Sequence, residues 1–403
     1  MARIAPPPIL ACPAPAAVLA ALPGARAVGG AVRDALAGLP VQDVDIAAPL
    51  PPERIAARLR AAGLSVFETG LSHGTVTAVL AGMPVEVTSL RRDITTDGRH
   101  AEVEWTTDWR EDAARRDFTI NAMSLSAEGW LWDYFGGRED LAAGRVRFVG
   151  EPARRLAEDY LRALRFFRFH ARYGRGAPDA EALAAIRAAV PGLARLSAER
   201  IWAEIKRLLE APNPSGALAL MAKTGVLGAV LPEAGRQGRL VAYLRSPCPQ
   251  APLPRLAALL GEGADPTRLA ARLRLSREEA ERLAGYLRGP TLDPGAEEAA
   301  LRRGLAETEG ETLLVRSWLA AQAAAGGDAD PPGDWAGLAA RIAAMPRPVF
   351  PLQGRDVLAE GVPPGPRVGA LLGAVRRWWL EGGCTAGREA CLARLRALRG
   401  GEA

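Results

Sequence analysis

The amino-acid sequence predicts an α+β fold, in which a small head with a mixed sheet is followed by an all-helical neck, body and tail. Strand-like patterns are confined to about residues 24–150, and helical periodicity fills the chain beyond them. The length of 403 residues exceeds what one hydrophobic core usually organises. The predicted boundaries are an N-terminal extension over 1–23, a head over 24–150, a neck over 151–215, a body over 216–340 and a tail over 341–403.

Six segments of the head alternate apolar and polar residues or are rich in β-branched side chains, which is typical of strands. They are Ala25–Val28, Val41–Ile46, Ser65–Glu68, Thr75–Leu80, Val85–Leu90 and Trp130–Tyr134. Pro52–Ala62 has a proline near its start and is followed by Gly63, a pattern that predicts a helix. The sequence Gly82-Met83-Pro84 lies between two of these strands and predicts a hairpin.

Segments with helical periodicity dominate the rest of the chain, and loops rich in proline and glycine separate them. They are Ala153–Tyr173, Asp179–Ala189, Ala198–Leu209, Gly216–Thr224, Arg255–Gly261, Arg277–Leu287 and Leu313–Ala325.

The composition, 49% hydrophobic and 24% charged, is that of a globular protein. A net charge of +5 permits nucleic-acid binding without demonstrating it. The four cysteines form no CxxC pair, which argues against a zinc ribbon or a disulfide framework and favours a reducing compartment. No apolar run reaches the 18 residues of a membrane span, so we expect a cytoplasmic protein without membrane contact.

The segment Val28–Asp34 has two adjacent glycines between a predicted strand and a short helix, and Asp43 and Asp45 follow on the next strand. Glycines let phosphates approach the backbone, and carboxylates two residues apart on a strand face the same side. Glu86, an acid flanked by β-branched residues, is the candidate third ligand. Three carboxylates can hold the two cations of a nucleotidyl-transfer site.

Six motifs extend this pattern in a fixed order. They are GGAVRD, DVDI, EVTSLR, RRDFTINAM, DYFGG and EDYLRALRFFRF. With Gly354–Leu358, Gly361 and Pro364–Pro366 near the C-terminus, the chain closely resembles the bacterial-type CCA-adding tRNA nucleotidyltransferases, relatives of polymerase beta and of poly(A) polymerases. The resemblance implies a nucleotidyltransferase head over 24–150.

The resemblance also implies a role for each motif. Gly29 and Gly30 would hold the triphosphate of CTP or ATP, and Asp43, Asp45 and Glu86 would bind two Mg²⁺ ions. Further nucleotide contacts are expected from the remaining motif residues, namely Arg33, Arg115, Arg116, Asp117, Asn121, Asp159, Arg162, Arg165 and Arg168. Residues 115–117 would sense the ribose hydroxyl, and Asn121 would support this side of the nucleotide site.

Asp159 and Arg162 lie three residues apart on a predicted helix and would share one face. A carboxylate accepts from an exocyclic amine, and a guanidinium donates to a ring nitrogen. Cytosine and adenine present that combination, whereas uracil and guanine present the opposite polarity. The pair could therefore select bases without a template. Arg165, Arg168 and Arg172 form a basic stripe on the same helix, suited to nucleotide or tRNA phosphates. The adjacent Phe166-Phe167 pair is expected to pack in the core.

Asp97–His100 corresponds to a flexible loop of the family associated with the change from C to A addition. The three histidines, His73, His100 and His170, are too scattered for the histidine/aspartate phosphohydrolase site that some relatives carry.

We therefore expect an enzyme that adds C, C and A to the 3′ end of tRNA, contacting its acceptor region. The nearest alternative is a bacterial poly(A) polymerase, followed by a relative that adds only CC or only A. A non-catalytic RNA-binding protein and an antibiotic-modifying nucleotidyltransferase are more remote alternatives. The motifs determine neither the oligomeric state nor the choice between Mg²⁺ and Mn²⁺.

Overall fold

The structure, a computed structural model, describes residues 2–70, 74–96, 101–261, 263–326 and 329–400. The chain divides into two units, Met1–Pro232 (unit 1) and Glu233–Ala403 (unit 2). This boundary lies inside the body predicted over 216–340, and the finer division into head, neck, body and tail stays a prediction. His73 and the predicted loop Asp97–His100 lie outside the described residues.

Ten strands occur among the described residues, all of them in unit 1. They are β1 (Ala2–Arg3), β2 (Arg26–Val28), β3 (Asp45–Ala48), β4 (Ser65–Gly70), β5 (Thr75–Leu80), β6 (Met83–Ser89), β7 (Arg91–Thr96), β8 (Ala101–Trp105), β9 (Met123–Leu125) and β10 (Trp130–Asp133). Five of the predicted segments overlap the strands β2 to β6, and the sixth overlaps β10. The sequence patterns did not predict β1, β7, β8 or β9.

Eight strands form one sheet in the order β1-β10-β9-β2-β3-β6-β5-β4, and β7 and β8 form a separate ribbon. The pairing of β3 with β6 is parallel, and the other pairings of the large sheet are antiparallel. The predicted mixed sheet is therefore confirmed. The turn between β5 and β6 has positive φ angles at Ala81 (51°) and Gly82 (77°), which suits a tight hairpin.

The strand predicted over Val41–Ile46 is wrong in its start, because the observed β3 begins at Asp45. The reason lies in the partners: Asp45 pairs with Val28, the last residue of β2, and with Glu86 of β6. Gly29, at φ 66° and ψ −123°, turns the chain away immediately after Val28. The backbone before Asp45 consequently finds no neighbouring strand there.

Unit 1 contains eleven α-helices among its described residues. They are α1 (Pro13–Ala21), α2 (Gly30–Leu36), α3 (Pro52–Ala61), α4 (Trp109–Ala114), α5 (Gly137–Ala143), α6 (Pro152–Glu158), α7 (Leu161–Tyr173), α8 (Ala180–Ala189), α9 (Ala198–Leu209), α10 (Ser215–Thr224) and α11 (Val226–Val230). Helices α1 and α3 pack on one face of the sheet, against β5 and β6. Ile46, Val76, Val85 and Val87 are buried on that face, so the opposite face carries Asp45 and Glu86.

The single helix predicted over Ala153–Tyr173 is wrong, because the chain breaks between α6 and α7. Asp159 adopts an extended conformation (φ −157°, ψ 109°), and its Oδ1 accepts a hydrogen bond of 3.0 Å from the Leu161 amide. This contact satisfies an amide in the first turn of α7. The Tyr160 ring also packs so closely on Gly192 that a Cβ there would lie 2.1 Å from it. Capping and packing together stabilise the break.

Helix α7 is attached to the sheet region through an aromatic cluster. Phe166 stacks on Phe148 with ring centroids 6.1 Å apart, and Phe118 lies between Phe148 (4.8 Å) and Phe169 (5.3 Å). All these rings are buried, as is Phe167. The expectation that Phe166 and Phe167 form core rather than a stacking surface is confirmed.

Unit 2 is helical throughout its described residues. Its helices are α12 (Gln237–Tyr243), α13 (Pro252–Leu259), α14 (Pro266–Leu273), α15 (Arg277–Leu287), α16 (Glu298–Glu307), α17 (Gly310–Ala324), α18 (Trp335–Ala344), α19 (Gly354–Ala359), α20 (Pro366–Glu381) and α21 (Arg388–Gly400). The Gly354–Leu358 motif begins α19, where Asp356 accepts from the Gln353 amide (2.6 Å) and from Arg388 (2.5 Å). In the described part of the chain, no helix combines the length and apolarity needed to cross a membrane.

Candidate active site

The two glycines predicted to hold phosphate lie at the end of β2 and the start of α2. Gly29 adopts a φ of 66°, a conformation that favours glycine. A Cβ on Gly29 would also lie 3.0 Å from Nη1 of Arg116. The missing side chain thus lets a guanidinium group approach the Gly29 backbone closely, an arrangement that suits an anionic ligand.

Two of the predicted metal ligands are direct neighbours across the sheet. Asp45 of β3 and Glu86 of β6 are register partners in the parallel pair. Asp43 precedes the strand, with Val44 buried between the two aspartates. The pKa of Asp45 is raised, because burial removes water from its carboxyl group and because the charges of Glu86 and Asp43 repel it. The positive charge of Arg116 lowers this pKa but does not cancel the rise.

This crowding of negative charge is what a bound divalent cation relieves, and oxygen donors are the ligands that Mg²⁺ prefers. Asp45 and Glu86 therefore fit the Mg²⁺ ions that the resemblance implies. Among the described residues, no group of three or more His, Cys, Asp or Glu side chains is placed to hold a metal ion, so Asp43 is not brought into one three-ligand site with these two.

A cleft of about 410 Å³ opens beside Asp45 and reaches α7 and α9. It brings together most of the predicted site residues and three that were not predicted. Its lining residues are Gly29, Gly30, Arg33, Asp45, Arg115, Arg116, Asp117, Asn121, Asp159, Leu161, Arg162, Arg165, Phe169 and Arg200. Asp43, Glu86 and Arg168 do not line it.

The centre of the cleft wall is a buried carboxylate, Asp117. Its Oδ1 accepts from the Phe118 amide (2.9 Å) and from Nδ2 of Asn121 (3.0 Å), and its Oδ2 accepts from Nε of Arg165 (2.7 Å). Burial opposes ionisation, but Arg165 and these hydrogen bonds outweigh it and lower the pKa of Asp117. Asp117 is thus ionised at neutral pH and joins the start of the Thr119–Asn121 turn to α7.

Arg33 lines the cleft, but its N–H groups donate hydrogen bonds to other side chains of the protein. Nη1 donates to Oδ1 of Asn121 (2.7 Å), and Nε and Nη2 donate to Asp34 (3.0 and 3.1 Å). The guanidinium group also lies 4.6 Å from the ring centre of Tyr173, whose hydroxyl donates to Asp34 at 2.5 Å. Arg33 therefore holds the Asn121 amide in position.

Arg115 and Arg116 are both anchored by Asp112 of α4. The ion pairs measure 2.8 Å to Arg115 and 3.3 Å to Arg116. Burial opposes the charge on Asp112, but the two arginines more than compensate and lower its pKa. Asp112 is not among the predicted site residues, although its spacing of three and four residues from the two arginines is a local signal for such pairs.

Asp159 and Arg162 both line the cleft, but they do not share a helical face, because Asp159 lies in the break before α7. Oδ2 of Asp159 accepts from Nη2 of Arg200 at 2.7 Å. Nη1 of Arg162 donates to Glu158 at 2.5 Å and to the Arg155 carbonyl at 2.9 Å. Each group of the predicted base-reading pair therefore has its own supporting partner.

Arg168 points away from the cleft and pairs with Glu204 of α9 through a 2.6 Å hydrogen bond. Its guanidinium group lies 4.2 Å from the Phe169 ring centre. Desolvation by burial lowers the pKa of Arg168 in spite of this carboxylate. Neither Arg200 nor Glu204 had a sequence signal, because both approach the site from a helix about 40 residues further along the chain.

Two protein-family models and several known proteins match this chain. The family described as "Poly A polymerase head domain" matches residues 25–147, and "Probable RNA and SrmB- binding site of polymerase A" matches 177–236. CCA tRNA nucleotidyltransferase 1, mitochondrial, of Danio rerio is 46% identical over 263 residues, which cover 63% of this chain and 60% of that protein.

The protein of the same name from Mus musculus is 37% identical over 392 residues, which cover 89% of this chain and 83% of that protein. Among solved structures, the Bacillus stearothermophilus CCA-adding enzyme in complex with CTP aligns with a TM-score of 0.78 and 29% identity, covering 99% of both chains. The chain therefore belongs to the CCA tRNA nucleotidyltransferases.

Proposed function

We propose that this protein adds C, C and A to the 3′ end of tRNA without a nucleic-acid template, using CTP and ATP and releasing pyrophosphate. The observation that carries the proposal is the single cleft in which Gly29, Asp45, Asp117, Asp159 and Arg162 meet. The names of the vertebrate relatives and the CTP complex of the Bacillus enzyme support it. None of these observations favours the poly(A) polymerase alternative.

The carboxylates of Asp43, Asp45 and Glu86 would hold Mg²⁺ ions in this reaction. When bound, such ions activate the attacking hydroxyl and stabilise the charge on the leaving pyrophosphate. The register of Asp45 with Glu86 and the raised pKa of Asp45 support this assignment. Bound cations would relieve the repulsion between these groups.

The remaining cleft residues position the nucleotide for transfer. Gly29 and Arg116 would hold the phosphates, while the wall of Asp117 and Asn121 contacts the ribose. The terminal 3′ oxygen of the RNA then forms a bond to the α-phosphorus, and the bond from that phosphorus to the β-phosphate oxygen breaks. Proximity and orientation supply much of the rate enhancement in reactions of this kind.

Base selection would rest on Asp159 and Arg162. Oδ1 of Asp159 accepts from the Leu161 amide and Oδ2 from Arg200, so each oxygen keeps a lone pair for the amine of cytosine or adenine. Arg162 would donate to the adjacent ring nitrogen. Uracil and guanine would place a carbonyl against Asp159 and an N–H against Arg162.

We further propose that the helical segments beyond the head bind tRNA and that the protein acts in the cytoplasm. The match of residues 177–236 to a probable RNA-binding region supports the first proposal. The cysteines, Cys12, Cys248, Cys384 and Cys391, are all free, which suits a reducing compartment. Both vertebrate relatives carry the word mitochondrial in their names, so fractionation of the native cell should decide the compartment.

The reaction can be tested with labelled CTP and ATP, Mg²⁺ and three tRNA transcripts that lack CCA, end in CC or end in CCA. We expect extension of the first two and none of the third. Asp45→Asn and Glu86→Gln should each lower kcat roughly a thousandfold, because each loses a metal ligand worth several kcal/mol in the transition state. Glu68→Gln, at an exposed carboxylate on β4, serves as the matched control.

Two outcomes would contradict the proposal. A long A tract added to unrelated RNA would indicate a poly(A) polymerase instead. Full incorporation by Asp45→Asn would show that the carboxylates are wrongly assigned.

A further inference from the structure

A continuous row of side chains crosses the sheet on the face that carries the carboxylates. Each member pairs with the next on the neighbouring strand, so all of them point to the same side. The row runs through Trp132, Ser124, Val28, Asp45, Glu86, Thr77 and Phe67. Asp45 and Glu86 stand in its middle.

The two ends of this row differ in exposure. On the β2 side, the Arg26 guanidinium group lies between the rings of Trp132 (3.6 Å) and Trp109 (4.1 Å), and Val28 packs with Trp109. On the β4 side, Thr77 is half-buried and the Phe67 side chain is 54% exposed. The row is thus covered by protein at one end and open at the other.

The nucleotide cleft ends at the covered side. Asp45 lines it, whereas Glu86, Thr77 and Phe67 do not. In an in-line displacement, the attacking and leaving oxygens lie on opposite sides of the phosphorus. With the triphosphate on the Gly29 side of Asp45, as in the proposed function, the attacking 3′-hydroxyl would approach from the Glu86 side, over β5 and β4.

We propose that Phe67 is a stacking platform for the last bases at the 3′ end of the RNA substrate. This inference rests on the proposed function. Two strand spacings, about 10 Å, separate Phe67 from Glu86, a distance within reach of the terminal nucleotides. Aromatic side chains stack on any base, so one platform can serve each successive 3′ end.

Local structure supports this role for Phe67. The register of β4 shifts between Phe67 and Gly70, and bulges of this kind redirect side chains at the edges of sheets. On the reverse face, Glu68 pairs with Arg60 of α3, so Phe67 lies on the face of β4 that is turned away from this helix. Between Phe67 and the carboxylates, the described strand residues Thr75, Thr77 and Thr88 are uncharged, with the hydroxyls of Thr75 and Thr88 3.1 Å apart, so these side chains do not repel the RNA phosphates.

The test uses the full-length protein and compares Phe67→Ala with Phe67→Trp. The matched control is Glu68→Ala, which alters the same strand on its opposite face. We expect Phe67→Ala to raise the KM for tRNA roughly tenfold, the size of one lost stacking contact, and to leave the KM for CTP unchanged. Phe67→Trp should keep the wild-type KM for tRNA, because its ring also stacks.

A second measurement reads stacking directly. A tRNA with 2-aminopurine as its terminal base should lose fluorescence on binding the wild type and Phe67→Trp, and keep more of it with Phe67→Ala. Wild-type KM for tRNA and wild-type quenching in Phe67→Ala would overturn the inference. If the wild type bound tRNA but transferred no nucleotide, the proposed function would fail, and the fluorescence experiment would still decide the role of Phe67.

Discussion

At the scale of single residues, the cleft separates groups that face the ligand from groups that hold them. Asp159 is held by Arg200, and Arg162 is held by Glu158. The guanidinium group of Arg33 donates its hydrogen bonds to Asp34 and Asn121, so Arg33 stabilises the cleft wall that contains Asn121. Supporting partners of this kind restrict side chains to one geometry before the ligand arrives, which lowers the entropy lost on binding.

Arg162→Ala is expected to weaken base selection while leaving metal binding intact. A side-chain contact to a base edge contributes about 1–3 kcal/mol of discrimination, so the preference for CTP over UTP should fall about tenfold or more. Competition between labelled CTP and UTP measures this ratio, and the Mg²⁺ concentration for half-maximal activity should stay unchanged. Arg172→Ala, at an exposed arginine of the same helix outside the cleft, is the control. An unchanged ratio in Arg162→Ala would refute the assignment.

At the scale of secondary-structure elements, α7 is positioned by both apolar and ionic contacts. The Phe118, Phe148 and Phe166 rings attach it to the sheet region, and the ion pair of the buried Asp117 with the half-buried Arg165 adds a polar contact. The break at Asp159 then directs that residue into the cleft. The position of α7 therefore determines the shape of the cleft wall.

Asp117→Asn should destabilise the protein in a pH-dependent way. The pKa of Asp117 is lower in the folded than in the unfolded chain, where it is about 3.9. Its contribution is thus complete above that value and is lost as the pH falls through the lower folded pKa. We expect the variant to be roughly 1–3 kcal/mol less stable at pH 7 and the difference to shrink below pH 4.

Denaturant unfolding at pH 7 and pH 3 measures this difference. Glu139→Gln, at an exposed position of α5, should show no comparable pH effect. A stability difference for Asp117→Asn that stayed equal at both pH values would contradict the ionic role of Asp117.

At the scale of the whole molecule, the cleft beside Asp45 lies entirely within unit 1, and unit 2 has a core of its own. This core surrounds Trp379 of α20, which is 3% exposed and packs against Phe350 with ring centroids 5.5 Å apart. Its indole Nε1 donates to the Ala386 carbonyl at 3.0 Å. The C-terminal motif that begins α19 contributes to this core through Val357.

Trp379→Ala should destabilise unit 2 by about 3–5 kcal/mol, since it removes a large buried side chain and leaves a cavity. Scanning calorimetry of the full chain should show an earlier transition for unit 2, while CTP binding at the original temperature is retained. Trp130→Ala, at an exposed tryptophan of β10, should leave the unit 2 transition in place. Loss of CTP binding together with the early transition would show that the two units unfold as one.

The sequence by itself determined the features that depend on near neighbours along the chain. β-Branched residues located the strand that carries Glu86, and helical periodicity located α9 and α15 at their observed bounds. The alternation expected to place Asp43 and Asp45 on one side of a strand does not apply, because Asp43 precedes β3. The ordered motifs also identified most residues of the cleft. Such patterns are readable because side-chain direction repeats every 2 or 3.6 residues.

Only the tertiary structure decided which charged groups meet. The chain has 51 basic and 46 acidic residues, and for pairs remote in sequence no local pattern selects one partner among them. Arg200 reaches Asp159 across 41 positions, and Arg168 turns from the cleft to Glu204 across 36. The break before α7 likewise depends on a remote contact, in which the ring of Tyr160 packs on Gly192. These outcomes depend on distances between elements remote in sequence, and folding alone sets those distances.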